Sequence, residues 1–124
     1  MKLDILIADW ISNNDLKEDE LQGIEAINFG IFESPNGYTI YLSGAKLYDP
    51  DDDDWSTSVD YEPTNKYLIL SKEVTKELDW TQILDLVVNS LKVYLDTESF
   101  LSSSLAKIKV ITTGFDDGDL IRIK

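Results

Sequence analysis

The stretch Ile27-Asn28-Phe29-Gly30-Ile31-Phe32-Glu33-Ser34-Pro35-Asn36-Gly37-Tyr38-Thr39-Ile40-Tyr41-Leu42 carries the fold reading. Ile27, Phe29 and Ile31 alternate with Asn28 and Gly30, the period of a strand with one buried face. Ser34-Pro35-Asn36-Gly37 then reverses the chain, because proline presets the bend and Asn-Gly tolerates positive φ. Beyond it Tyr38, Ile40 and Leu42 share one face, and Thr39, Tyr41 and Ser43 the other. A β-hairpin over 24–47 follows. Both of its faces carry apolar side chains, with Phe32 and Tyr41 opposite Ile31 and Ile40, so either helices cover both faces or a partner covers one. A homodimer is one such arrangement.

Working outward, Leu3, Leu6, Ile7, Trp10 and Ile11 recur at helical spacing, with Asn13 and Asn14 as stop residues. Residues 15–20 are polar and read as a loop or a single turn. Tyr67-Leu68-Ile69-Leu70 is a continuous apolar run and reads as a short buried strand. Asp79 begins the clearest helix, as an N-cap with Gln82 three residues on in a variant of the capping box. Trp80, Ile83, Leu84, Val87, Leu91, Tyr94 and Leu95 form its apolar face, and Asp85, Asn89, Lys92 and Asp96 its polar one. Ser102-Ser103-Ser104 is a connector. Residues 107–113 and 120–123 read as strands joined by an Asp117-Gly118 turn. The order is helix, hairpin, acidic loop, strand, helix, hairpin. The expected architecture is therefore one α+β domain over residues 1–124: an antiparallel sheet of two hairpins plus a short strand, with two helices packed against it.

Composition excludes several kinds of function. At 43% hydrophobic residues, a chain of 124 residues has the apolar material for one core. It holds neither Cys nor His, which removes disulfides, thiolate chemistry, the commonest general base and the commonest transition-metal ligand. Asp4 falls where a signal peptide would be apolar, and no apolar run is long enough to span a bilayer, so a soluble cytoplasmic protein is expected. The formal charge is −13, from 24 acidic and 11 basic residues. Such a charge repels nucleic acid and anionic membranes, and attracts cations and basic protein surfaces.

The acidity is concentrated in two places. Asp49, Asp51, Asp52, Asp53, Asp54, Asp60 and Glu62 lie in a stretch with no Lys or Arg between Lys46 and Lys66. Tyr48, Trp55 and Tyr61 lie among them. The second cluster is Gly114-Phe115-Asp116-Asp117-Gly118-Asp119, between Lys109 and Arg122. With Asp117-Gly118 as the turn, Asp116 and Asp119 would oppose each other, a repulsive cross-strand pair that a partner's Lys or Arg would relieve. Carboxylates supply steering and arginine pairing at interfaces, and aromatics supply affinity. The expected contact residues are Asp51, Asp52, Asp53, Asp54, Trp55, Asp60, Tyr61, Glu62, Asp116, Asp117 and Asp119. The bland alternative is a solvated loop with Trp55 tucked into the core.

Calcium ligation is a second possibility for the first cluster. Asp49, Asp51, Asp53 and Asp60 match positions one, three, five and twelve of an EF-hand loop. However, Asp54 stands where the sharp turn needs glycine, Asp60 stands where Glu gives bidentate ligation, and the preceding segment is a strand. Catalysis finds less support. The serines at 102–104 have neither a Gly-x-Ser-x-Gly elbow nor a histidine, and there is no phosphate-binding loop or dinucleotide fingerprint. A non-catalytic protein without a cofactor is expected.

Gly30-Ile31-Phe32-Glu33-Ser34, Gly37-Tyr38, Tyr48-Asp49 through Asp54-Trp55, and Gly114 through Asp119 together resemble a bacterial family type. It is the small acidic immunity proteins co-produced with secreted polymorphic or contact-dependent-inhibition toxins. The resemblance is one of general character. It implies a mechanism and no particular fold: an acidic protein occupies the basic surface of a cognate toxin, such as a nuclease, with carboxylates replacing phosphates. The other readings are a calcium- or cation-binding structural module, and a nucleic-acid mimic acting on a host DNA-binding protein.

Overall fold

A computed structural model describes residues 2–35 and 37–124. The first hairpin forms as its alternation dictates. Strand β1 (Ala26–Ser34) pairs antiparallel with β2 (Gly37–Ala45), from Ala26 opposite Ala45 to Ser34 opposite Gly37. Asn36, half of the expected Asn-Gly turn, lies outside the described residues. Ile27, Phe29 and Ile31 of β1 and Ile40 and Leu42 of β2 are fully buried on one face. Asn28, Gly30, Phe32, Tyr41 and Ser43 occupy the other.

The buried face is covered by helices. Helix α1 (Leu3–Ser12) buries Leu3, Ile7, Trp10 and Ile11, the stripe expected of it. Short α2 (Glu18–Leu21) follows and buries Leu21. Strand β3 (Tyr67–Leu70) and short α3 (Lys72–Thr75) lead to α4 (Trp80–Leu95). Asp79 caps α4 by accepting from the Gln82 N–H at 2.9 Å, and the Gln82 side chain accepts from the Asp79 N–H at 3.0 Å, completing the capping box. Ile83, Val87, Leu91 and Tyr94 of α4 meet α1 and the sheet. Short α5 (Glu98–Leu101) and a 3₁₀ turn at Ser104–Lys107 bring Phe100 and Leu105 into the same core. No helix among the described residues is long and apolar enough to cross a membrane.

Strands β4 (Val110–Phe115) and β5 (Ile121–Arg122) complete a sheet in the order β3-β2-β1-β4-β5. Here the expected architecture is corrected. The sheet is mixed: β4 runs parallel to β1, from Ala26 beside Val110 to Ile31 beside Phe115. Turn chemistry specifies hairpin partners, but which hairpins lie side by side is a long-range choice. β3 is antiparallel to β2 and so runs in the direction of β1. α4, about 24 Å long at 1.5 Å per residue, carries the chain back along the sheet, so β4 enters in that same direction.

The helix count is corrected too, since five helices, not two, are present among the described residues. Three of them are four-residue turns, too short to show an apolar period. Caps specify two of these: the Ser71 hydroxyl accepts from the Val74 N–H, and the Thr97 hydroxyl from the Phe100 N–H. Strand β3 is also not a buried strand. It forms one edge of the sheet, with Tyr67 and Ile69 exposed at 53% and 62%. Its apolar run faces two ways: Leu68 and Leu70 toward the core, Tyr67 and Ile69 toward the opposite face.

Candidate functional site

The helix-free face of the sheet is where the acidic loop folds. From Ala45 the chain crosses this face and returns at Tyr61, whose backbone pairs with Gly44 through the Gly44 N–H at 2.9 Å. A 3₁₀ turn at Asp53–Thr57 seats Trp55 on Ala26, Ala45 and Val110, edge-on to Tyr48 with ring centroids 5.2 Å apart. Small residues at 26 and 45, directly opposite each other, leave the space that the indole fills. Tyr61 joins the main core, and burial pushes its phenol up to about 12.

Trp55 and Tyr61, expected as interface anchors, are therefore 8% and 6% exposed and present no ring face to a partner. The carboxylates divide by role. Asp49 accepts from the Asp51 N–H at 2.9 Å, Asp52 from the Asp54 N–H at 3.0 Å, and Asp60 from the Lys46 N–H at 2.8 Å. Glu62 pairs with Lys66 at 2.7 Å. Asp49 and Asp52 shape the loop through local side-chain-to-backbone turns, and Asp60 ties its end back to Lys46 at its start. The side-chain carboxylates of Asp51 and Asp54 are exposed and accept no hydrogen bond from another described residue.

The second cluster reaches the same face. The turn sits one residue earlier than expected: the Gly118 N–H bonds to the Phe115 carbonyl at 3.0 Å, so Asp116 and Asp117 are its central residues. Strand pairing ends at Thr113 opposite Ile121, and Asp116 and Asp119 do not form a cross-strand pair. The chain instead folds back over Gly114, where a Cβ would lie 2.6 Å from the Asp119 carbonyl oxygen; only glycine allows that approach. Asp116 accepts a hydrogen bond from the Tyr41 hydroxyl. Burial, followed by this bond to a carboxylate, raises the Tyr41 phenol well above its ordinary range.

The two segments touch: Asp53 of the loop accepts from the Leu120 N–H at 3.0 Å, and Leu120 packs on the cluster around Trp55. Between them lies a hollow of about 650 Å³. Asn28 and Ser43 form its polar floor, where Asn28 accepts from the Thr112 hydroxyl at 2.9 Å. Phe32, Tyr41 and Tyr67 form an aromatic wall with centroids 6.0 to 6.5 Å apart. Asp53, Asp54, Asp116 and Asp117 form the rim. Among the described residues lining the hollow, Lys66 is the one cation, its ammonium 5.5 Å and 5.6 Å from the Tyr41 and Tyr67 ring centroids.

This aromatic wall was missing from the sequence-based site. One signal did point to it. Gly30 is an isolated strand glycine opposite Tyr41, which marks a close approach. A Cβ at Gly30 would lie 2.0 Å from Tyr41 Cζ, so the ring lies across the glycine and its hydroxyl reaches Asp116. No three acidic side chains among the described residues gather closely enough to hold a metal ion. Asp49, Asp53 and Asp60, three of the EF-hand-spaced aspartates, are each turned to a different backbone N–H. Compared with family models, curated proteins and solved structures, the chain has no match, so its function has to be argued from its own residues.

Proposed function

We propose that this is a non-catalytic binding protein that captures a basic protein partner through the helix-free face of its sheet, in the manner of an immunity protein masking a toxin's basic surface. The observation that carries this reading is the meeting of two acidic segments, some sixty residues apart in sequence, around one aromatic-walled hollow. A charge of −13 steers a cationic surface toward the protein at long range. At contact, Asp51, Asp54 and Asp117 are exposed carboxylates to pair with Lys or Arg. Tyr41, Tyr67 and Phe32 offer ring surface in the hollow that Asp54 and Asp117 line, a combination suited to guanidinium groups. Much of the remaining acidity is used within the loop, so charge serves construction as well as recognition.

The test is affinity purification from native cells with the wild-type protein and the Asp51→Lys/Asp54→Lys double variant. A basic protein retained by the wild type and lost from the variant is the expected result. Identical proteins retained by both would refute the reading. Competition by duplex DNA for many basic partners, in place of one, would favour the nucleic-acid mimic. A calcium-dependent shift in thermal stability would favour the cation-binding module.

A further inference from the structure

The turn at Asp116–Asp119 has a second side. There the N-terminal turn of α4, the end of β1 and the start of β5 enclose another hollow, of about 850 Å³. Its apolar surface comes from Ile31, Tyr38, Leu84, Phe115 and Ile121, and from Trp80 at the mouth. Trp80 belongs to the apolar stripe of α4 by spacing, yet it is 60% exposed. It packs against Phe115 with centroids 6.2 Å apart, and Phe115 in turn packs against Tyr38 at 5.9 Å, both edge to face. Glu33, Asp116, Asp117 and Asp119 also line this hollow, and among the described residues lining it there is no Lys or Arg.

We propose that this second hollow receives an arginine side chain of the basic partner, with the guanidinium lying against Trp80 and pairing with Asp119 and Glu33. The inference rests on the binding function proposed above. Charge complementarity selects a cation: the residues lining the hollow carry four carboxylates and no compensating base. The apolar surface selects arginine over lysine. A guanidinium is planar, weakly hydrated and stacks on aromatic faces while donating in a fork to carboxylates, whereas an ammonium keeps its water. An exposed tryptophan sharing a hollow with carboxylates is also the composition of an interface hot spot, where covering the ring contributes most of the affinity.

The probes are N-acetyl-arginine amide, its lysine counterpart and the neutral citrulline isostere, titrated into the whole protein. The readout is the indole N–H resonances of Trp10, Trp55 and Trp80, with Trp80 identified by its loss in Trp80→Phe. The arginine probe is expected to shift Trp80 and leave Trp55 still, with lysine several-fold weaker and citrulline inert. Glu33→Gln with Asp119→Asn, which alters charge and leaves the apolar surface in place, is expected to abolish the shift. Toward the captured partner, Trp80→Ala is expected to weaken binding about 30-fold or more.

Equal response to citrulline overturns the proposal, as does no response of Trp80 up to the solubility of the probe. A Trp80 shift that depends on protein concentration without probe also overturns it, because a second copy of the chain then fills the hollow. The two readings fail separately. Loss of the partner in Asp51→Lys/Asp54→Lys with none in Trp80→Ala sinks this inference alone. An arginine response at Trp80 with no basic partner captured sinks the partner reading and leaves the pocket.

Discussion

Trp55→Ala removes the ring that holds the acidic loop against the helix-free face of the sheet. A tryptophan buries on the order of 200 Å², and at about 25 cal/mol per Å² its transfer from water stabilises by about 5 kcal/mol. With 8% of its surface exposed, Trp55 obtains nearly all of this. Its surroundings are a small cluster of Ala26, Ala45 and Val110 beneath a loop, apart from the main core. The loop can settle into part of the gap, so the expected loss lies at the low end of large-to-small substitutions, about 3 kcal/mol. For a domain of this length that lowers Tm by roughly 12 °C.

The assay is urea unfolding followed by far-ultraviolet circular dichroism, since the substitution removes one of the fluorophores. A second readout is hydrogen exchange at the Leu120 amide, whose acceptor is Asp53 two residues before the tryptophan. Loosening of the loop exposes that amide, and Trp55→Phe retains an intermediate share of both effects. A loss below about 0.5 kcal/mol, the range of ordinary surface substitutions, with Leu120 still protected, would show that the ring does not fasten the loop. The division between buried loop aromatics and exposed loop carboxylates would then fall with it.

Gly30→Ala forces Tyr41 off its position across the glycine, because the new Cβ would overlap the ring. The expected cost is about 1–3 kcal/mol in chemical unfolding, with Asp116 released as well. Tyr41→Phe changes the alkaline side of the stability profile. In the folded protein the Tyr41 phenol is raised above its ordinary value of 10.0. The folded state therefore keeps its proton to higher pH than the unfolded state does. The resulting stability is full below pH 10 and is lost as pH rises beyond it. The variant is expected to show a shallower fall in urea midpoint above pH 10, with Tyr38, Tyr61 and Tyr94, raised in the same direction, supplying the remainder. Equal slopes for the two proteins would count against the burial of the Tyr41 phenol and its bond to Asp116.

What could be read in the sequence was whatever a few neighbouring residues settle between them. The alternation of Ile27, Phe29 and Ile31 is satisfied by one strand, the Asp79–Gln82 box by one helix turn, and the stripe of α1 by one helix face. The two acidic segments were equally legible, since charge is a property of the residue. The parallel seam between β1 and β4 was not, because it joins residues more than eighty positions apart and depends on α4 returning the chain. Trp80 and Trp55 show the same limit in opposite directions. Spacing assigns Trp80 to the core, but at the first position of α4 it lies 60% exposed, edge to face with Phe115. Its position beside carboxylates suggests a contact role for Trp55, but Ala26 and Ala45 leave a space that the indole fills.

By itself, then, the sequence determined an α+β chain with two acidic segments at turns and loops. Only the tertiary structure decided that those segments meet. Their carboxylates are sixty residues apart, and like charges do not attract. They are brought together because β1 lies between β2 and β4, and the loop after β2 crosses the helix-free face to reach the segment after β4. Trp55 fixes the loop there by burial, and the Leu120 N–H accommodates the Asp53 carboxylate where the two segments touch.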